Sequence, residues 1–199
     1  AVKQNKCAAI MLETIQGEGG VIPLSEGYLR FAERLAKEND VLLIVDEVQT
    51  GMGRTGAFYS YMNFGLAPDI VTSAKGLGGG LPIGAVLFGE RTAEVLTPGT
   101  HGSTFGGNPA VCAGALNVVS RLTDAFLLEV ARKGEFLSSA LTGAKGVRCV
   151  TGRGLMIGVG TERPVGDVLS DLREQGVIAL KAKDKVRRLP TLNMTDDEH

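Results

Sequence analysis

The sequence predicts an α/β fold, a mostly parallel sheet flanked by helices and followed by a small α+β unit, and three observations predict it. Short apolar runs bounded by Gly, Pro or Asp alternate with helix-period patterns as far as Leu141. A helix with its own N-cap lies between the first two runs. After Gly143 the pattern changes to short strands and one helix joined by Gly turns, the character of an appended domain.

The core strands are read as Ala8–Leu12, Leu42–Val45, Ile70–Thr72 and Ala85–Phe88. Between the first two, Leu29, Ala32, Leu35 and Ala36 recur at helical spacing after Ser25, which predicts a crossover helix over Glu26–Glu38 capped by the serine. Helices are expected over Asn108–Leu122 and Ala125–Leu141. Strands follow over Val147–Val150 and Met156–Val159, a helix over Val165–Gln175, and a strand over Val177–Leu180. Residues 1–124 are thus part of the large sheet domain, and residues 125–199 a connecting helix and part of a small C-terminal domain.

Composition narrows the function classes. The 199 residues are 44% hydrophobic and 22% charged, an ordinary globular balance. The 21 basic and 22 acidic residues leave a net charge of -1, so no global field exists to hold nucleic acid or an anionic membrane. Cys7, Cys112 and Cys149 are far apart with no CxxC pair, which argues against a disulfide framework and a zinc site and fits a reducing cytoplasm. No metal is expected. No apolar run is long enough for a membrane span, and the polar opening Ala1–Lys6 is not a signal peptide. The chain opens on Ala1 almost directly into a strand, and reads as a piece of something longer.

Two motifs suggest nucleotides and fail on context. Leu42–Glu47 is an apolar strand ending in two carboxylates, as in a nucleotide hydrolase, but no GxxxxGK[ST] accompanies it and Lys75 is followed by Gly76. Gly51-Met52-Gly53-Arg54-Thr55-Gly56 spells GxGxxG, yet its glycines begin five residues past the strand end and no helix opens behind them. These glycines are read as a loop beside a ligand.

Lys75 lies just past the strand Ile70–Thr72 and before Gly76, Gly78, Gly79 and Gly80. Alone it would be a solvated loop lysine. Asp46, at the end of what should be the adjacent strand, changes that reading, because one strand-helix-strand unit brings both side chains to the carboxyl edge where open α/β sheets bind ligands. A primary amine beside a carboxylate suits pyridoxal chemistry: the amine bonds the cofactor's aldehyde, and the carboxylate keeps the ring nitrogen protonated so that the ring accepts carbanion electrons. At about 3 Å and an effective dielectric of roughly 20, that ion pair attracts by several kcal/mol. Lysine's reference pKa near 10.4 means that it shuttles protons near neutrality only when bonded to the cofactor or desolvated.

Three ordered strings, Asp46-Glu47-Val48-Gln49-Thr50-Gly51-Met52-Gly53-Arg54-Thr55-Gly56, Ser73-Ala74-Lys75-Gly76-Leu77-Gly78-Gly79-Gly80 and His101-Gly102-Ser103-Thr104-Phe105-Gly106-Gly107-Asn108-Pro109, are similar to successive signatures of the class III (fold-type I) pyridoxal-phosphate aminotransferases. The likeness is to the acetylornithine and ornithine branch and to the C-terminal half of those enzymes. It implies the large domain of the pyridoxal-phosphate transferases, pyridoxal 5'-phosphate as cofactor, and a homodimer with shared active sites.

By position, the resemblance makes Lys75 the cofactor-bonding lysine, Asp46 the partner of the ring nitrogen and Gln49 that of the phenolic oxygen, with Glu47 and Val48 in the same cofactor-binding turn. Thr104 resembles a residue reaching the neighbouring subunit's cofactor phosphate, and Ser103 one contacting substrate across the interface. Glu13 and Glu18 resemble active-site glutamates, and Arg187 the arginine that takes a substrate carboxylate, with Glu18 able to pair with it as a switch. The family usually has Pro at Thr14 and often Pro or Ser at Thr191, departures that look conformational. His101 is read as a loop residue.

The function implied is transamination of an ω-amine, N-acetylornithine, with 2-oxoglutarate, as in arginine biosynthesis (EC 2.6.1.11). Two alternatives stand beside it. One is another class III transaminase acting on ornithine, succinylornithine or 4-aminobutyrate. The other is a non-catalytic fragment, because the family's phosphate loop, ring-stacking aromatic and donor-carboxylate arginine come from an N-terminal region with no counterpart here.

Overall fold

A computed structural model of the chain describes residue 2 and residues 6–198. Most of the polar opening segment, and His199, lie outside the described residues. The elements are β1 (Ala9–Leu12), β2 (Ile15–Gln16), β3 (Ile22–Pro23), α1 (Glu26–Glu38), β4 (Leu42–Asp46), β5 (Ile70–Ser73), β6 (Ala85–Phe88), α2 (Pro109–Arg121), α3 (Asp124–Leu141), β7 (Val147–Arg153), β8 (Met156–Thr161), α4 (Val165–Glu174), β9 (Leu180–Ala182) and β10 (Lys185–Arg188).

The first sheet has strand order β1-β4-β5-β6. β1 pairs with β4 and β4 with β5 in parallel, and β6 returns antiparallel to β5. The crossover from β1 to β4 is α1, which begins where the sequence places it: Ser25 accepts from the Tyr28 amide, a cap worth about 1 kcal/mol. Its face of Leu29, Ala32 and Ala36 is buried, and Ala36 joins Leu43 and Val45 of β4 in one cluster. The β4–β5 connection differs from the strand-helix-strand expectation. It holds a 3-10 turn, Ser60–Phe64, because Gly51, Gly53 and Gly56 and the aromatics after them carry turn chemistry without helical periodicity.

The second sheet, β7-β8-β10-β9, is antiparallel throughout. β8 is its centre, and all six of its residues are buried. One core joins Ile157 and Val159 to Val130 and Leu137 of α3 and Val186 of β10. A separate cluster joins Met156 to Ala182 and to Ile15 and Val21 of the β2–β3 ribbon. The expected strand Val177–Leu180 is displaced to Leu180–Ala182: the Val177 amide folds back to the Leu172 carbonyl, and Ile178 is fully exposed. The basic strand β10 escapes sequence reasoning, since Lys185, Arg187 and Arg188 mask its pattern.

The two sheets meet at Arg54. Its Nη1 donates to the carbonyls of Pro190 (2.6 Å) and Leu155 (3.2 Å), and the Leu155 amide returns a bond to the Arg54 carbonyl. Burial of the guanidinium pushes its pKa down to about 10. Gly154 takes φ +54, and a Cβ there would lie 2.7 Å from the Arg54 carbonyl oxygen. Only glycine allows this approach.

Candidate functional site

Asp46 is the last residue of β4 and stands opposite Thr72 of β5. Its Oδ1 accepts from the Val48 amide at 2.9 Å, closing a tight turn that presents residues 46–49 at the sheet's carboxyl edge. Lys75 follows the end of β5 by two residues and opens a 3-10 turn, Lys75–Gly78. Its backbone is left-handed, φ 48, an uncommon state for a residue with a Cβ and one that persists where surrounding structure holds it. The surroundings are α2 and the cluster of Leu77, Met52, Tyr59, Val71 and Ala115 behind the turn. Asp46 and Lys75 therefore leave neighbouring parallel strands at the same edge, as the sequence predicts.

The loop from Glu13 to Leu24 crosses that edge. Glu13 Oε2 accepts from the Gly17 amide at 3.2 Å, which tightens the loop. Gly17 is packed so closely on Gln49 that a Cβ would collide with the carboxamide. Glu18 follows, and its Oε1 takes a 2.6 Å bond from Arg187 Nη1 and a 3.3 Å bond from Gln49 Nε2. Arg187 Nη1 also reaches Gln49 Oε1 at 3.3 Å. The hydrogen bond and charge of Arg187 hold the Glu18 carboxyl below its ordinary pKa, and the charge of Lys75 adds to the same effect. Lys75, Gln49, Glu18 and Arg187 thus share one neighbourhood.

The pair is asymmetric. Arg187 lies on β10 and is 8% exposed, whereas the Glu18 side chain is 72% exposed. Arg187 Nε is buried with no partner among the described residues. A buried guanidinium with one donor engaged and another orphaned is ready for a further carboxylate. The same holds beside Asp46, where the buried Oγ1 of Thr72, opposite it on β5, has no partner among the described residues; Ser73 Oγ, on the other face of β5, has none either. Unmet polar atoms next to a carboxylate and a strained lysine fit a polar group such as pyridoxal phosphate at this edge.

Not every expected residue points there. The Glu47 carboxylate turns inward, fully buried, and accepts from the Ser60 amide (2.9 Å), the Tyr61 amide (2.8 Å) and Thr50 Oγ1 (2.7 Å). Its side chain holds the fold together, turned away from the edge where Asp46 and Lys75 stand. Val48 is half-buried in the turn. Residues 99–110, which include His101, Ser103 and Thr104, are all exposed. Ser103 Oγ accepts from the Gly106 amide, an ordinary turn bond, and neither Ser103 nor Thr104 joins the Lys75 group. Sequence reasoning missed Thr72, whose only signal was its register opposite Asp46, and Ser60, whose amide bonds Glu47.

The sequence matches the family Aminotransferase class-III over residues 1–199. It is 50% identical to the acetylornithine aminotransferase of Haemophilus ducreyi over 199 residues, covering 99% of this chain and 51% of that protein. It is 45% identical to that of Bacillus subtilis, covering 98% and 52%. Among solved structures, the ornithine aminotransferase of Toxoplasma gondii superposes with a TM-score of 0.92 at 38% identity, over 99% of this chain and 49% of that one. The N-acetylornithine aminotransferase of Stenotrophomonas maltophilia superposes with a TM-score of 0.86 at 38% identity, over 96% and 52%. The chain spans about half the length of the relatives it matches.

Proposed function

The chain belongs to the class III aminotransferases, and on that basis we propose that the full-length protein transfers the δ-amine of N-acetylornithine to 2-oxoglutarate, as in arginine biosynthesis, with these residues supplying one wall of the site. Pyridoxal phosphate supplies, when bound, an aldehyde that captures the donor amine and a ring that accepts electrons from the carbon beside it. The observation that carries the reading is Lys75 and Asp46 leaving adjacent parallel strands beside the Glu18–Arg187 pair.

Each residue has a stated task. Lys75 would hold the cofactor through Nζ, and the same amine would move the proton from the carbon that bears the transferred amine. Asp46 holds a proton on the ring nitrogen, and Gln49 donates to the phenolic oxygen. Glu13 and Glu18 line the donor side. Arg187 receives the carboxylate of 2-oxoglutarate through the Nη1 donor that Glu18 vacates when it swings out, a movement that the exposure of Glu18 permits.

Ser103 and Thr104, exposed and apart from the Lys75 group in one chain, serve the site of a second subunit, so the working form is a homodimer in the cytoplasm. Among the described residues no single helix is long and apolar enough to cross a membrane. An ornithine transaminase is the second reading, favoured by the 0.92 TM-score to the Toxoplasma gondii enzyme.

The test is reconstitution of the full-length polypeptide with pyridoxal phosphate. A visible absorption band should form, fade with the amino donor and return with 2-oxoglutarate. Lys75→Ala should abolish the band without unfolding the protein. A borohydride-fixed adduct on Lys37 or Lys181 instead would overturn the assignment.

A further inference from the structure

The loop that carries Glu13 and Glu18 is fastened to the cofactor turn from below by a chain of buried side chains. Thr14, 0% exposed, donates through Oγ1 to Ser60 Oγ at 2.7 Å. Ser60, also 0% exposed, donates its amide to Glu47 Oε2, which takes a second bond from Thr50 Oγ1. Glu47 directly follows Asp46, and its own amide is fixed to the Thr72 carbonyl at 2.9 Å. The chain therefore runs from the residue beside Glu13 to the residue beside Asp46.

Two features show that this is a constructed linkage rather than incidental contact. Each Glu47 oxygen faces a backbone N–H, an obligate donor, so the position requires an acceptor at both atoms: Ser60 at Oε2 and Tyr61 at Oε1. A glutamine would set an NH2 group against one of them. The far side of the loop is fixed as well, because Thr151 Oγ1 of β7 donates to the Val21 carbonyl at 2.7 Å and Val21 is fully buried. The loop is held between the two sheets, and Thr14 is its buried side-chain hydrogen bond to the β4–β5 connection.

We propose that the Thr14–Ser60–Glu47–Thr50 relay sets the position of the glutamate loop over the Asp46–Gln49 turn, with Thr14, Ser60 and Glu47 as positioning residues for donor binding. Its effect on donor binding rests on the transaminase reading above. The mechanical link does not. Loss of the Thr14 hydroxyl leaves Ser60 Oγ unmet and frees the loop to lift, which moves Glu18 away from Gln49 and Arg187. Lys75 and Asp46 stay where they are, since neither hydrogen-bonds to the relay's hydroxyls.

The experiment compares the wild-type full-length protein with Thr14→Val, which keeps the shape, Thr14→Ser, which keeps the hydroxyl, and Ser60→Ala. Amide hydrogen exchange on the cofactor-free protein is the first readout. Thr14→Val should speed exchange about five- to tenfold, the size of one buried hydrogen bond, both at Gly20–Leu24 and across the relay at Gly51, Ser60 and Tyr61, with α1 unchanged. Acceleration confined to the loop itself would refute the relay. Kinetics on the loaded enzyme are the second readout: donor KM should rise about five- to tenfold in Thr14→Val and Ser60→Ala, with kcat within about twofold and the visible band unmoved. Thr14→Ser should restore it, and the Thr14→Val/Ser60→Ala pair should be no worse than the worse single variant, because both remove the same bond. An unchanged KM with a lowered Tm would make the chain structural only. If the wild type itself fails to transaminate, the functional reading falls while the exchange data still decide the relay.

Discussion

Arg187 and Glu18, 169 positions apart in the chain, meet at 2.6 Å across the join between the two sheets. The arginine comes from a strand at the heart of the second sheet and cannot leave its place. The glutamate sits on a loop over the first sheet with most of its side chain in water. A cation fixed by burial and an anion exposed enough to rotate away suit the proposed gate, in which only the anion moves.

That gate fixes a pH dependence. The Glu18 pKa is lowered, chiefly by the Arg187 hydrogen bond and then by its charge. A lowered carboxyl pKa contributes stability that is present above the unfolded value, near 4.3, and is lost only as pH falls through the folded value. Between about pH 6 and 9 the pair should therefore be intact and donor KM should carry no slope from Glu18. Glu18→Gln removes the charge and should shift the ratio of the half-reaction rates toward the oxo acid by about two- to fivefold, the modest size proper to an exposed ion pair. Single-turnover rates with donor and with 2-oxoglutarate check this, and an unchanged ratio would deny Glu18 its gating role.

Asp46 should matter through charge rather than size. Asp46→Asn keeps the turn's shape, since an amide oxygen can still accept from the Val48 amide, but it no longer balances a protonated ring nitrogen. A loss of at least ~10²-fold in kcat is expected, from about 3 kcal/mol of transition-state stabilisation. Near wild-type turnover would remove the electron-sink role.

Much of this arrangement was legible in the sequence. The strands of the first sheet are apolar runs closed by punctuation residues, and α1 carries both its cap and its buried stripe, so local signals agree with the fold. Lys75 and Asp46 were readable because parallel strands send their carboxyl ends to one edge. The inward turn of the Glu47 side chain was hidden for a related reason: alternation along a strand sends adjacent residues to opposite faces, and the motif string carries no trace of that. The partners of Thr14 were invisible because Ser60 is 46 positions away and arrives through an irregular turn. β10 was hidden by the charges that give Arg187 its use.

Ser103 and Thr104 should act across a dimer interface. Both are exposed and both lie outside the Lys75 group, which is where residues belonging to another subunit's site would be found. Inactive Lys75→Ala and Thr104→Val chains of the full-length protein, refolded together, should recover part of the activity, because some heterodimers hold one intact site. No recovery in a verified heterodimer would assign Thr104 to its own subunit or to no site.

N-acetylornithine should give the highest kcat/KM among ω-amines, because the Glu18–Arg187 gate sits beside a site whose relatives include acetylornithine aminotransferases at 50% and 45% identity. Free ornithine brings a charged α-amine where the acetylated donor brings a neutral amide. Desolvating that charge should cost about 1 to 3 kcal/mol, a preference of roughly 5- to 150-fold. The oxo-acid half-reaction should depend instead on Arg187, because Lys185, the other cation on that face of β10, is engaged by Thr151 Oγ1. Arg187→Ala should therefore weaken the 2-oxoglutarate step by about 3 to 5 kcal/mol, the usual consequence of removing one partner of a buried charge pair. Following the visible band as it fades with each donor and returns with 2-oxoglutarate separates the two effects. Faster fading with free ornithine or 4-aminobutyrate would reassign the donor and leave transamination intact, whereas an Arg187→Ala enzyme that regains its band at the wild-type rate would move the carboxylate site elsewhere.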